Sequence, residues 1–148
     1  MKTRSLFSSL VTLFVLVLLA GVRTPGNAQQ IYVTGQLQNA TPCYTHISAA
    51  NFYGTLYSLV FLSDSTHMFL GTADTLSVKA PVAYSPAGKA AVAADGVYNG
   101  APATAQFTID STNPLGATLV FSVQQQGAVV WSGKFVFEQE WYGIVMSP

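Results

Sequence analysis

Side chains that could carry acid–base, nucleophilic or metal chemistry are few in this chain. Its 148 residues include six acidic residues, six basic residues, two histidines and one cysteine. Nucleophilic catalysis requires a Ser, Thr or Cys beside a base, and the available histidines are His46 and His67. Cys43 precedes His46 by three residues, but a strand or loop need not bring the two together. No Gly-Xaa-Ser-Xaa-Gly turn presents a serine, so the sequence predicts no catalytic residue.

Metal-type and glycosidase-type patterns are equally sparse. Asp64, His67 and Asp74 fall within eleven residues, but their order and spacing match no metal-binding motif. Glu138 and Glu140 would share one face of a strand, as a pair of glycosidase carboxylates could. Charged residues at that place also protect a hairpin edge from pairing with a neighbour. The sequence therefore predicts no metal ion and no cofactor.

Aromatic residues are the most abundant groups that could recognise a partner. The chain has nine Phe, seven Tyr and two Trp. Exposed rings on a sheet can stack on sugars or peptides, and Tyr suits interfaces because one end of its side chain is polar. Among these residues, the predicted binding positions are Tyr44, Trp131, Trp141 and Tyr142.

The single cysteine excludes an internal disulfide. Cys43 is therefore either buried and inert, or exposed and able to form a disulfide with another chain. A small exported domain without a disulfide has to be held together by its core.

The first 28 residues have the pattern of a secretory signal peptide. Lys2 and Arg4 precede an apolar run at 10–20, and Arg23 ends the run before it reaches the length of a membrane-spanning helix. Gly26 and Ala28 are small residues at the positions required for cleavage before Gln29. The prediction is a secreted protein, in the extracellular space, on the cell surface or in the periplasm, with one domain over 29–148. The rival reading is a retained amino-terminal anchor.

Residues 29–148 carry little charge. They contain three lysines and six acidic residues, which gives a net charge of −3. A nucleic-acid partner is excluded, because that affinity comes mainly from neutralising phosphates.

Period-two alternation and turn residues predict an all-β domain of about eight or nine short antiparallel strands, most simply a β-sandwich. Strands are expected at 31–37, 55–62, 68–70, 75–79, 97–98, 103–109, 117–124, 128–139 and 141–145. The strand at 55–62 is apolar on both sides, so both sides are expected to be covered. Residues 86–95 could form a short helix or a strand, because Pro86 and Gly96 are placed like helix start and stop signals.

A non-catalytic β-sandwich module is the first functional hypothesis. It would act by protein–protein contact or self-assembly at the cell envelope, with itself, another surface protein or a glycan as partner. A protein that binds a small apolar ligand or a carbohydrate in a β-barrel or sandwich cavity is the second hypothesis. A hydrolase that uses Glu138 with Glu140, or a histidine-centred site, is the third.

Overall fold

The computed structural model describes residues 28–37, 43–138 and 142–148. These residues form nine strands, all antiparallel to their neighbours. The strands are β1 Ala28–Leu37, β2 Cys43–Phe52, β3 Thr55–Ser63, β4 Met68–Lys79, β5 Lys89–Tyr98, β6 Ala101–Asp110, β7 Gly116–Gln125, β8 Ala128–Glu138 and β9 Tyr142–Ser147. The all-β prediction and the predicted number of strands are confirmed.

The nine strands belong to one sheet in the order β8-β7-β6-β5-β4-β3-β2-β1-β9. Strands β1 to β8 pair in the order of the chain, and only β9 returns to pair with β1. Two-residue turns at Asn99–Gly100 and Gln126–Gly127 have positive φ at both positions, the geometry that suits the twist of a tight hairpin. An Asn-Gly dipeptide is among the strongest sequence signals for such a turn.

The nine-stranded sheet curls around its own core. Alternate side chains on the inner side are buried, and the largest of them are the rings of Phe69, Phe107, Phe121 and Phe137. At one end of the curl, the loop between β3 and β4 reaches β8, where His67 stacks on Trp131 with 5.0 Å between ring centroids. Elsewhere Met146 of β9 bridges to Ser85, in the connection from β4 to β5. No described part of the chain is a helix long and apolar enough to cross a membrane.

Two facing glycines allow β4 and β5 to approach closely. Gly71 and Gly96 are opposite each other in the register of this strand pair. A Cβ atom on Gly96 would press against the carbonyl oxygen of Leu70 and lie 2.6 Å from the Cα of Gly71. The lack of a side chain at both positions therefore allows the backbones of β4 and β5 to lie this close together.

One open alternative is decided and two local predictions are corrected. Of the helix and the strand considered for residues 86–95, the structure has the strand, since β5 begins at Lys89 and its alternation of small buried and exposed residues continues to Tyr98. The predicted pieces at 68–70 and 75–79 form one strand, β4, with an irregularity between Ala73 and Thr75. The outer side of β3 is not covered by any described residue: Tyr57 and Leu59 are exposed.

Candidate functional site

Charge is distributed unevenly over the sheet. Strands β9, β1, β2 and β3 are adjacent in the sheet and contain no Asp, Glu, Lys or Arg. We call the outward side of these four strands the uncharged face. Its ring-bearing and aliphatic members are Tyr32, Tyr44, His46, Tyr57, Leu59, Phe61 and Val145.

Strand register places these side chains in continuous rows. Val145 is opposite Tyr32, Tyr32 is opposite Ser48, and Ser48 is opposite Leu59. In a parallel row, the ring of His46 meets that of Tyr32 edge to face, with 5.4 Å between centroids. The rows form a surface of aromatic, aliphatic and neutral polar side chains that crosses four strands, with Tyr57 63% exposed and Leu59 47% exposed.

Of the predicted binding residues, only Tyr44 is described on this face. Tyr44 is exposed, and it lies opposite Ser63 in the pairing of β2 with β3. Sequence reasoning missed Tyr32, Tyr57, Leu59 and Phe61 as surface residues. The signal that could have found them is the absence of any charged residue over positions 24–63.

Trp131 lies elsewhere and has a different environment. It is only 9% exposed and belongs to the core, where its ring meets Phe121 edge to face at 4.7 Å. Tyr98 and His67 pack against the same ring. The structure therefore places Trp131 in the packing that closes the curl, on the inner side of the sheet.

Cys43 is buried at the start of β2, with 1% of its surface exposed. Burial, together with the charge of Asp64, raises the pKa of the Cys43 thiol to about 11. A thiol in this position is protonated at neutral pH and out of reach of another chain. A disulfide between chains would require β2 to open.

The remaining predicted positions lie close to the gap at 139–141. Trp141 and Glu140 lie outside the described residues, and only the backbone of Tyr142 and Glu138 is described, in β9 and β8. No group of three metal-ligating residues occurs in the part of the chain that the structure describes.

Asp64 and His67 form the one close carboxylate–imidazole pair in the described ranges. Asp64 Oδ2 lies 2.9 Å from His67 Nδ1, and the Thr66 hydroxyl contacts the same nitrogen at 2.8 Å. Asp64 Oδ1 also accepts hydrogen bonds from the backbone N–H groups of Thr66 and His67. Because the hydroxyl and the carboxylate share one imidazole nitrogen, this geometry fixes the β3–β4 loop and does not present an activated nucleophile.

The hydrogen bonds of Asp64 in this loop predict that the folded protein loses stability in acid. Burial alone would raise the pKa of Asp64, but the hydrogen bonds from Thr66 and His67 outweigh it and hold the pKa below its usual value. A depressed pKa means that the stabilisation is present above the ordinary value of about 3.9 and is lost as pH falls below it. We expect Asp64→Asn to lower the free energy of unfolding at pH 7 by about 1–3 kcal/mol.

Urea unfolding followed at pH 7, 4 and 3 checks this expectation. The difference between the wild type and Asp64→Asn should shrink as pH falls through the folded-state pKa of the carboxyl group. Asp74→Asn is the control, since no ion pair or side-chain hydrogen bond of Asp74 is found among the described residues. An undiminished difference at pH 3 would contradict the assignment.

Comparison of the chain with protein-family models, with characterised proteins and with solved structures gives no match.

Proposed function

We propose that this protein is an exported, non-catalytic module that self-associates, with the uncharged face of one copy packed against the uncharged face of a second. The observation that carries the proposal is the group of exposed Tyr, Leu and Val side chains, with neutral polar neighbours, on four adjacent strands that contain no charged residue. Monomeric soluble proteins rarely leave large contiguous apolar patches in water.

The size of the face supports a protein partner. Four strands about 4.8 Å apart, rising about 3.3 Å per residue, present a surface of roughly 20 by 30 Å. Each partner in a standard stable interface buries about 800 Å² of accessible surface. Side chains that project from this rectangle add to its accessible surface, so the area of the uncharged face is close to the area that one partner buries.

Absence of charge favours a second copy over a different partner. A two-fold contact brings the same patch of both subunits together, so a charge near the axis lies close to its own copy, and a charge elsewhere needs an opposite charge on the same patch. The uncharged face has none, and Tyr hydroxyls and Ser48 can hydrogen-bond across the contact. Two such faces meet without electrostatic penalty.

The inner side of the sheet is less suited to hold a ligand. Phe69, Phe107, Phe121 and Phe137 fill its centre and are fully or almost fully buried. We therefore place the proposed contact on the outer face and not in a cavity inside the curl.

A lysine on the uncharged face should weaken association strongly. We expect Leu59→Lys to weaken the dimer by about a hundredfold or more, because a lysine of each copy would be buried in the contact without an ion-pair partner. Val136→Lys is the control: Val136 is 64% exposed on the other half of the sheet, so this variant also replaces an exposed aliphatic side chain by lysine, but away from the contact.

Sedimentation equilibrium over a range of protein concentrations, with and without reductant, gives the measurement. The proposal expects a wild-type dimer that reductant does not dissociate, a monomeric Leu59→Lys variant and a dimeric Val136→Lys variant. A wild type that stays monomeric at the highest concentration would overturn it. A dimer that reductant dissociates would also overturn it, because Cys43 and not the uncharged face would then join the copies.

A further inference from the structure

An open cavity of about 640 Å³ lies on the outward side of the other half of the sheet. It extends over strands β4 to β8. The side chains with hydroxyl groups that line it are Ser77, Thr108 and Thr118, and Ala91 and Val120 lie beside them. None of the three hydroxyls has a hydrogen-bond partner among the described residues.

Every lysine of the described chain lines this cavity. Lys79 and Lys89 stand opposite each other on β4 and β5, and Lys134 comes from β8. Like charges that face each other across a strand pair destabilise a sheet. The arrangement therefore has a cost that calls for an explanation.

Only one of the three ammonium groups is neutralised. Lys89 Nζ lies 2.9 Å from Asp110 Oδ2, and no other carboxylate lines the cavity. Lys79 and Lys134 have no ion-pair partner in the described ranges. Three lysines and one aspartate leave a local charge of +2 on a domain whose acidic residues outnumber its basic ones.

Protection of sheet edges accounts for only part of this cluster. Lysine on an edge strand discourages pairing with another chain, and Lys134 on β8 could serve that purpose. Lys79 could do the same, because the pairing of β3 with β4 ends at Gly71 and the rest of β4 is paired only with β5. Lys89 is paired on both sides, with Lys79 and Asp110, so edge protection does not explain why a second lysine stands opposite Lys79.

We propose that this cavity, which we call the lysine cavity, binds an acidic oligosaccharide. Lys79 and Lys89 would hold one acidic group, Lys134 would hold another, and the three hydroxyls would bond to sugar hydroxyls between them. From β5 to β8 the strand spacing gives a span of roughly 14 Å, which fits a short chain of sugars better than a single anion.

Other classes of ligand fit the lysine cavity less well. No aromatic ring lines it, so nucleobases have nothing on which to stack. Strands β5, β6 and β7 are paired on both sides, so an extended peptide could add only along β8 or along residues 72–79 of β4, and not over Thr108 and Thr118. The lysine cavity also lies outside the uncharged face, and the proposal does not depend on self-association.

Isothermal titration calorimetry of the protein with trigalacturonic acid at low ionic strength tests the proposal. Maltotriose is the neutral probe, and inorganic tripolyphosphate is the anion without sugar hydroxyls. We expect binding of trigalacturonic acid that weakens as salt is added, and no binding of maltotriose. Equal or tighter binding of tripolyphosphate would overturn the carbohydrate assignment, and absence of binding to trigalacturonic acid would overturn the site.

Variants connect the binding to the lysine cavity. Lys79→Gln and Lys134→Gln should each weaken binding about tenfold, the loss expected for one charge-assisted hydrogen bond. Both side chains are exposed, so thermal unfolding should be unchanged and should confirm that these variants fold. Thr108→Val, which removes a hydroxyl and keeps the shape, should weaken binding of the sugar and leave that of tripolyphosphate unchanged.

A double variant distinguishes binding at the lysine cavity from attraction by the net charge of the protein. Lys79→Gln combined with Thr104→Lys keeps the net charge and moves one lysine to an exposed position of β6 outside the cavity. Binding should stay about tenfold weaker than in the wild type. Recovery of wild-type affinity in the double variant would show that net charge alone attracts the ligand, and would overturn the proposal.

Discussion

Replacing Trp131 by alanine should lower the free energy of unfolding by about 3–5 kcal/mol, the cost found for removing a large aromatic side chain from a core. Trp131 joins parts of the sheet that are distant in the strand order, since its ring touches Phe121 of β7, Tyr98 of β5 and His67 of the β3–β4 loop. Its loss removes the aromatic packing that closes one end of the curl. A typical domain has only about 5–15 kcal/mol of stability in total.

Urea denaturation followed by far-UV circular dichroism measures the change, since the signal does not depend on the tryptophan that is removed. Val129→Ala is the control on the same strand, because Val129 is 58% exposed and should cost less than about 0.5 kcal/mol. If Trp131→Ala unfolded at the same urea concentration as Val129→Ala, Trp131 would not be part of the core. That result would favour the binding role that the sequence predicts for Trp131.

Gly96→Ala is expected to destabilise the protein by about 3 kcal/mol, at the upper end of the range for overpacking. The added methyl group would meet the Leu70 carbonyl and the Gly71 Cα, which are backbone atoms of the neighbouring strand and cannot rotate away. The strands would have to separate, which would weaken the hydrogen bonds between β4 and β5.

Gly143→Ala is the matched control for this substitution. Gly143 also lies in a strand, but a Cβ atom there would have no neighbour within 4 Å. Thermal unfolding should show a large decrease in midpoint for Gly96→Ala and little change for Gly143→Ala. Equal midpoints would mean that the close approach of β4 and β5 is not required for stability.

Local pattern was sufficient to predict most strands of this fold. The hairpin of β7 and β8 alternates regularly, and Asn99–Gly100 marks a turn that few other dipeptides form so readily. Strand β2 was largely missed, because its inner side combines Thr45 and Ala49 with Ile47 and so alternates weakly in hydrophobicity. The single curled sheet could not be predicted, because curl depends on contacts between distant residues such as His67 and Trp131.

The candidate surfaces were harder to predict than the strands. An alternating pattern indicates that Tyr57 and Leu59 share a side of β3, but not whether another layer covers that side. The sequence also separates Lys134 from Lys79 and Lys89 by more than forty residues. Only the order of strands in the sheet brings all three lysines to one cavity.

The strand order also has a consequence for how the chain folds. Strands β1 to β8 pair with their neighbours in the chain, so their hairpins close short loops at low entropic cost. β9 alone must find a distant partner, since Ser147 lies opposite Gln30. Topologies dominated by local pairing fold faster than those that need many distant pairings. We therefore expect the hairpins to form first and β9 to dock last, which makes the β1–β9 seam the place where a newly made chain stays open longest.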